Sequence, residues 1–129
     1  ATESDEIVSP EDTEYLDIPA GVDVYEINGP FFFGLASRIE ELSSIKGKQT
    51  KVRIIRMRKV PFIDSTGINN LRNLCERTHK RGVTVILSGV TEKVHQSLVK
   101  FGVDLELGQD CIYPHIVPAL EKARELVKK

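Results

Sequence analysis

Segments with strand-like and helix-like patterns of apolar residues alternate along this 129-residue chain. EYLDIP (14–19) and VDVYEIN (22–28) alternate apolar and polar positions, which is typical of half-buried strands. FFFGLASRIEELSSI (31–45), after a break at NGP, carries apolar residues at helical spacing. KVRIIRM (51–57) is a β-branched run that predicts a largely buried strand. The first half therefore predicts two strands, a helix and a third strand.

The second half continues the alternation with clearer boundaries. A helix is predicted over 66–81, ended by Gly82, with one apolar face made of Ile68, Leu71, Leu74, Cys75 and Thr78. VTVILSG (83–89) predicts another buried strand. A further helix is predicted between a Thr91 N-cap and a stop at Gly102. Pro114 is predicted to open the last helix, whose apolar repeat is Ile116, Leu120, Ala123 and Val127.

The predicted order is β-β-α-β-α-β-α-(short β)-α. Strands that alternate with helices favour a mostly parallel sheet covered by helices, here with an antiparallel start. Within VDVYEIN, Val22, Val24 and Glu26 are predicted on one face, and Tyr25 and Ile27 on the other. The chain is thus predicted to be one α/β domain, since its length leaves little room for two.

Composition supports a folded, soluble domain. Apolar residues make up 40% of the chain and charged residues 29%, which is ordinary for a globular protein. No run approaches the roughly 20 apolar residues of a membrane span, and no signal peptide is evident at the start. Residues 1–13 are acidic and lack a sustained period, which is typical of a linker or disordered terminus.

The net charge of −1 conceals a strong asymmetry. Nine acidic residues and no lysine or arginine precede Arg38, whereas 18 basic and 10 acidic residues lie from Arg38 onward, a surplus of 18 − 10 = +8. Such a basic body suits an acidic partner, a nucleotide or an anionic membrane surface. The same charges also serve to keep a surface soluble, and both interpretations stay open.

Cysteine and histidine positions argue against a metal site. Cys75 and Cys111 lie far apart and form no CxxC pair, so buried free thiols in a reducing compartment are expected. The three histidines, His79, His95 and His115, lack the spacing of metal ligands. We expect neither a metal nor another cofactor.

The polar turn DSTG (64–67) stands where a buried strand gives way to a helix. Ligands of α/β sheets usually bind at such carboxyl ends of strands. Ser65 is expected to cap the helix through its hydroxyl, while Asp64 places negative charge near the positive end of the helix. Gly67 is expected to let another backbone approach closely.

Catalysis and anion binding are chemical alternatives to a cap at this turn. A nucleophilic Ser65 is disfavoured because the GxSxG pattern and a recognisable base are lacking. Walker and dinucleotide glycine patterns are also lacking, yet helix amides bind anions without a motif. Asp64, Ser65, Thr66 and Gly67 therefore remain docking or anion- and nucleotide-binding candidates, with help from Arg56, Arg58 or Lys59.

The turn also offers two hydroxyls for phosphorylation. A phosphoryl group on Ser65 or Thr66 would meet the positive helix end, while Asp64 would oppose it. Nucleic-acid binding is not expected from RIIRMRK (53–59), because its arginines lack an aromatic stacking platform.

These segments together resemble the STAS fold, which anti-sigma-factor antagonists share with the cytosolic domains of SulP-type anion transporters. Three stretches look specifically like the transporter branch: VDVYEINGPFFFGLASRIEEL, KVRIIRMRKVPFIDSTGINNL and HKRGVTVILSGVTEKVHQSLVKFGV. LGQDCIYPHIVPALEKA follows in the expected order, so the resemblance covers about residues 14–127. DSTG alone would carry little weight.

The resemblance implies a STAS domain over residues 14–129, with a small, mostly parallel mixed β-sheet flanked by about four to five helices. It also implies a non-enzymatic regulatory or interaction module, on the cytoplasmic side of the plasma (inner) membrane, in a transporter of sulfate, bicarbonate or a related anion. Residues 1–13 would connect it to the membrane domain of the same transporter. A nucleotide, an acyl carrier protein and a homodimer formed through the full-length transporter are further partner candidates.

The same resemblance carries a rival interpretation. In anti-sigma antagonists the serine directly after the aspartate is phosphorylated, and that position corresponds to Ser65. The rival hypothesis is therefore a free-standing antagonist that is switched by phosphorylation of Ser65.

Overall fold

The computed structural model describes residues 17–28 and 50–128, with the side chain of Asn28 excepted. Three strands form its sheet, in the spatial order β1-β2-β3. They are β1 (Val22–Asn28), β2 (Val52–Lys59) and β3 (Thr84–Ser88). Both pairings are parallel. All strands therefore end at the same edge of the sheet, which we call the carboxyl edge, and begin at the opposite amino edge.

Four α-helices and a short 3₁₀ turn follow or connect these strands. Their bounds are α1 (Ser65–Lys80), α2 (Glu92–Lys100), α3 (Val103–Leu107), the 3₁₀ turn (Gln109–Cys111) and α4 (Ile116–Lys128). A single parallel bridge joins Ile112 to Leu87 just before α4. None of these helices is long and apolar enough to cross a membrane.

The sheet separates two hydrophobic cores. On one face, alternate strand residues such as Tyr25 and Ile55 pack with the buried sides of α1, α2 and α3. On the other face, Val24 and Ile54 pack against Ala119 and neighbouring residues of α4. Burial on both faces explains why apolar residues follow one another at 54–55 in β2 and at 85–87 in β3 instead of alternating strictly with polar ones.

The main predictions for the described segments are confirmed. The strand predicted over 51–57 is β2, and the helix predicted over 66–81 is α1, with all five residues of its predicted face buried. Gly82 and Gly102 follow their helices with positive φ angles. The two faces predicted for residues 22–27 are also confirmed, and the short strand predicted before the last helix corresponds to the bridge at Ile112.

The first predicted strand is wrong over the part that the structure describes. Residues 17–19 are not in a strand, because Pro19 has no N–H to give to a ladder and its carbonyl instead accepts a turn hydrogen bond from Val22. The remainder of that strand (14–16), the helix predicted over 31–45 and the linker predicted over 1–13 lie outside the described residues.

Candidate docking site at the strand-to-helix turn

Asp64 is the residue that caps α1. Its backbone is extended, with φ −97° and ψ −175°, and its Oδ1 accepts a hydrogen bond of 2.8 Å from the backbone N–H of Gly67. The Asp64 carbonyl accepts the first helical hydrogen bond, from the Ile68 N–H at 2.8 Å. The carboxylate thereby satisfies one of the free amides at the helix start and places its charge beside the positive end of the helix dipole.

The expectation that Ser65 caps the helix is therefore wrong. Ser65 is already the first helical residue, whereas a capping residue needs the non-helical backbone that Asp64 has. Ser65 and Thr66 are both exposed. Their hydroxyls consequently face solvent at the positive end of α1.

Gly67 is buried for a different reason than expected. A Cβ at this position would lie 2.7 Å from Ile63 Cγ1, so the close neighbour is a side chain and not another backbone. Close backbone approach occurs instead at Gly89, where a Cβ would lie 2.7 Å from the backbone N of Arg58. Gly67 thus lets the turn fold tightly over Ile63, and Gly89 lets the end of β3 pack on the end of β2.

Glu26 contacts three cationic side chains near the end of β2. Its side chain is fully buried, and its Oε1 pairs with Arg58 Nε and lies 3.9 Å from Arg56 Nε. Its Oε2 lies 3.3 Å from Lys59 Nζ. Three cations thus lie around one buried carboxylate, and the side chains of Arg58 and Lys59 remain 44% and 46% exposed.

The strand register explains this arrangement. Glu26 lies directly opposite Arg56, and Arg56 opposite Ser88, so the three side chains form one row across the sheet on the face that carries α4. The register of β1 against β2 shifts after this pair. The next partners are Asn28 and Lys59, so β2 advances three residues while β1 advances two. Ser88 is buried, and its Oγ has no hydrogen-bond partner among the residues of the described ranges.

The structure brings the predicted site residues to one edge. Arg58 and Lys59 end β2 at the carboxyl edge, and residues 60–64 lead directly from there into α1. Val60 and Ile63 are buried and anchor this short connection, while Phe62 is 44% exposed. A turn with exposed Ser65 and Thr66, partly exposed cations and one exposed aromatic ring therefore lies at this edge.

Sequence reasoning missed the central role of Glu26 and the exposure of Phe62. The signal for Glu26 was its position on a strand face otherwise made of Val22 and Val24, where a charge requires partners. No sequence signal distinguishes Phe62 from a core aromatic, since it follows a strand and precedes buried Ile63.

A small cavity also opens at the carboxyl edge. Its volume is about 280 Å³, and its lining residues are Val90, Glu92, His95, Ile112, Tyr113 and Pro114. The Tyr113 carbonyl accepts a hydrogen bond from the Val90 N–H at 3.1 Å, which joins the two walls. Enclosed small-molecule sites usually measure about 300–1,000 Å³, so the volume of this cavity is at the lower end of that range.

The cysteines are not available as nucleophiles. Both are buried and free, as expected. Burial, with a smaller contribution from Glu106, raises the pKa of the Cys75 thiol to about 12, and burial also raises the pKa of Cys111. Because only the thiolate attacks, neither thiol is suited to nucleophilic chemistry near neutral pH. Within residues 17–28 and 50–128, no group of three or more His, Cys, Asp or Glu side chains is placed to hold a metal ion.

Comparison with known proteins identifies close relatives. A solved sulfate transporter family protein from Wolinella succinogenes is 41% identical, with a TM-score of 0.81, and the match covers 94% of this chain and 99% of that one. The SulP transporter STAS domain from Vibrio cholerae is 32% identical, with a TM-score of 0.78, over 98% of this chain and 96% of that one.

A longer relative is a Bacillus subtilis (strain 168) protein named "Putative sulfate transporter YvdB", which is 27% identical over 95 residues. The match covers 73% of this chain, and the chain spans only 18% of that relative's length. A solved "putative anti-sigma factor antagonist" from Thermotoga maritima is 21% identical, with a TM-score of 0.62, over 84% of this chain and 92% of that one. At that identity the likeness shows the fold alone.

The STAS family model matches residues 16–123, and the two nearly full-length matches above 30% identity are to a sulfate transporter family protein and a SulP transporter domain. The chain therefore belongs to the STAS family, as a STAS domain of the SulP transporter type.

Proposed function

We propose that this chain is the non-catalytic regulatory and assembly domain of a SulP-type secondary anion transporter. The observation that carries the proposal is the match to the Vibrio cholerae SulP STAS domain over 98% of this chain and 96% of that one. In this proposal the domain lies on the cytoplasmic side of the membrane. Residues 1–13 connect it to the membrane domain of the same transporter.

The DSTG turn is the proposed docking or regulatory site. Asp64, Ser65 and Thr66 are exposed, while Gly67 and Ile63 are buried and fix the turn from below. A partner that binds a fixed turn pays little conformational entropy on binding. The partially exposed cations of β2 add positive charge at the same edge, which suits an acidic segment of the membrane domain.

Phosphorylation is the proposed means of regulating this site. The Ser65 hydroxyl is exposed at the first position of α1, so a phosphoryl group there would face the positive end of the helix dipole. Its charge would also repel the neighbouring carboxylate of Asp64. Modification of Ser65, or of exposed Thr66, would therefore change the charge presented to a partner without requiring the core to move.

The candidates for the transported anion and for further partners are those of the family. Sulfate is the first candidate because the names of the relatives contain it, with bicarbonate or a related anion as the alternative. An acyl carrier protein and a nucleotide remain candidate partners. Contacts between two copies of the domain would form through the full-length transporter.

One observation favours the rival function, a free-standing anti-sigma factor antagonist. Ser65 is exposed and directly follows Asp64, as the phosphorylated serine of such antagonists does. The solved antagonist shares 21% identity with the chain, against 41% for the sulfate transporter family protein. We therefore place the transporter function first.

Site-directed crosslinking in the full-length membrane protein tests the docking role. A photo-crosslinking amino acid at Ser65 should link the domain to the membrane domain, and mass spectrometry should locate the partner peptide. Gln96 is a matched control, because it is also exposed but lies on α2. Equal crosslinking from both positions, or crosslinks from Ser65 to a soluble kinase alone, would contradict the proposal.

A further inference from the structure

The amino edge of the sheet carries a second basic surface, separate from the DSTG turn. It consists of exposed cations at the beginning of β2 and at the ends of α1 and α4. We call it the amino-edge basic surface and define it by five residues: Lys51, Arg77, Lys80, Arg81 and Lys128. It carries five formal positive charges.

Backbone hydrogen bonds hold the segments of this surface together. The Lys51 carbonyl accepts from the Thr84 N–H at 3.0 Å, and the Lys51 N–H donates to the Gly21 carbonyl at 2.7 Å. Thr78, near the end of α1, accepts from the Val83 N–H at 3.2 Å, which joins that helix end to the start of β3. The surface is therefore part of the rigid fold.

The end of α4 reaches the same place. A Cβ on Gly21 would lie 3.6 Å from Val127 Cγ1 and 3.9 Å from the Lys51 side chain. Lys128 directly follows Val127 and is exposed. The entry of the chain into β1 thus lies beside the Lys51 side chain and the end of α4.

Within residues 17–28 and 50–128, no carboxylate forms an ion pair with these five cations. The nearby carboxylates have other cationic neighbours, since Asp23 is held by Arg53 and Asp17 lies 3.6 Å from Arg124. Two exposed carboxylates oppose this charge, Glu76 on the preceding turn of α1 and Glu125 on the turn of α4 before Lys128.

The direction of the chain indicates which partner this surface meets. Gly21 immediately precedes β1 at the amino edge, so a membrane domain that precedes residue 1 would connect to the sheet on this side. Residues 1–13 are acidic and would be repelled by anionic lipid, whereas the amino-edge basic surface would be attracted to it. The segment that joins a preceding membrane domain to β1 would therefore place the amino-edge basic surface beside the bilayer.

We propose that the amino-edge basic surface binds the anionic headgroups of the membrane in which the transporter lies. The inference rests on the proposed function for its placement beside a bilayer. Lipid contact would orient the domain, with the amino edge toward the membrane. Each cation that contacts an anionic surface strengthens binding by about fivefold.

Vesicle sedimentation with the purified 129-residue chain tests this proposal. The probes are vesicles of phosphatidylcholine alone and vesicles that contain one third phosphatidylglycerol, each at about 50 mM and about 500 mM salt. The test variant is the double substitution Lys80→Glu and Arg81→Glu. The control is Lys93→Glu with Lys100→Glu, which changes the net charge equally on α2, where both residues are exposed.

We expect the parent chain to bind anionic vesicles at low salt and not at high salt. The test variant should lower the binding affinity at least tenfold, and the control variant less than twofold. Three results would overturn the proposal: no binding to anionic vesicles, equal binding to neutral vesicles, and equal loss in both variants. Binding of an oligonucleotide or an acidic peptide without vesicle binding would also overturn it. A negative vesicle result would not change the outcome expected from crosslinking at the DSTG turn. The lipid-binding proposal and the docking proposal can therefore be rejected independently.

Discussion

The carboxylate of Asp64 accepts a hydrogen bond of 2.8 Å from the backbone N–H of Gly67, three residues further along the chain. This contact places the aspartate outside the helix and leaves Ser65 inside it with a free surface. The different positions of Asp64 and Ser65 bear directly on the proposed regulation by phosphorylation of Ser65. Asp64 holds the helix start in place, so Ser65 is available for modification or docking without loss of the cap.

Replacement of Asp64 by Ala should destabilise the domain by about 1 kcal/mol, the usual cost of losing an N-cap. The matched variant Ser65→Ala should change the free energy of unfolding by less than about 0.5 kcal/mol, because exposed surface positions away from such features rarely matter more. Urea denaturation followed by circular dichroism measures both. A larger loss for Ser65→Ala than for Asp64→Ala would show that the serine provides the cap.

Replacement of Glu26 by Gln should be among the most damaging conservative changes in the described sheet. It removes the charge shared by Arg56, Arg58 and Lys59 while keeping the shape of the side chain. Breaking one partner of a buried ion pair typically costs 3–5 kcal/mol, and we expect about 3 kcal/mol because two of the cations are partly exposed.

Glu106→Gln is the control for that prediction. Glu106 pairs with Arg72 at 2.9 Å, but its side chain is 52% exposed. A pair at the surface is worth about 0–1 kcal/mol. Equal losses of stability in the two variants, measured by denaturant titration, would refute the role of Glu26 as the centre of the cation cluster.

Replacement of Gly89 by Ala should cost more than replacement of Gly82 by Ala. Both glycines have positive φ, at 65° and 80°, so each substitution incurs roughly 1–2 kcal/mol of backbone strain. A Cβ at Gly89 would also meet the Arg58 backbone at 2.7 Å, whereas nothing lies within 4 Å at Gly82. We expect about 3 kcal/mol or more for Gly89→Ala, and thermal unfolding of the two variants compares them.

The stability of the domain should fall as the pH rises above about 9. Burial raises the pKa of Cys75 to about 12, so above the ordinary thiol pKa the unfolded chain loses a proton that the folded chain keeps. The free energy of unfolding then decreases by up to about 1.4 kcal/mol per pH unit from this group. This stability is fully present below the unfolded pKa.

The variant Cys75→Ala isolates that contribution. It should be less stable at pH 7, because a buried side chain is truncated, but its stability should fall less steeply between pH 9 and 11. Cys111 remains in both proteins and contributes in the same direction. Identical slopes for the variant and the parent would contradict the proposed origin of the pH dependence.

Helix and strand positions in the described chain were predictable where burial follows a simple period. The buried face of α1 could be predicted because five residues recur at helical spacing and Gly82 marks the end. β2 could be predicted because a β-branched run fits a strand buried on both sides. The family, too, was accessible from the DSTG turn together with the segments around it.

Local spacing could not predict contacts that depend on register and on single-residue shifts. Glu26 and Arg56 are 30 positions apart in the sequence, and only the parallel pairing of β1 with β2 places them opposite each other. The exchange of roles between Asp64 and Ser65 is a boundary shift of one residue, which sequence patterns rarely decide. The basic amino edge likewise joins Lys51 and Arg81 through the fold and not through any local motif.

The most direct test of the central claim is uptake of labelled sulfate by cells that express the full-length transporter carrying this domain. The variants are Ser65→Asp, which adds charge at the docking turn, and Gln96→Asp, which adds the same charge on α2. The account predicts that Ser65→Asp changes the uptake rate several-fold at equal membrane abundance, while Gln96→Asp leaves it unchanged. Equal rates for both variants and the parent would contradict a regulatory role for the turn, and a soluble protein that binds an anti-sigma factor would contradict the transporter assignment.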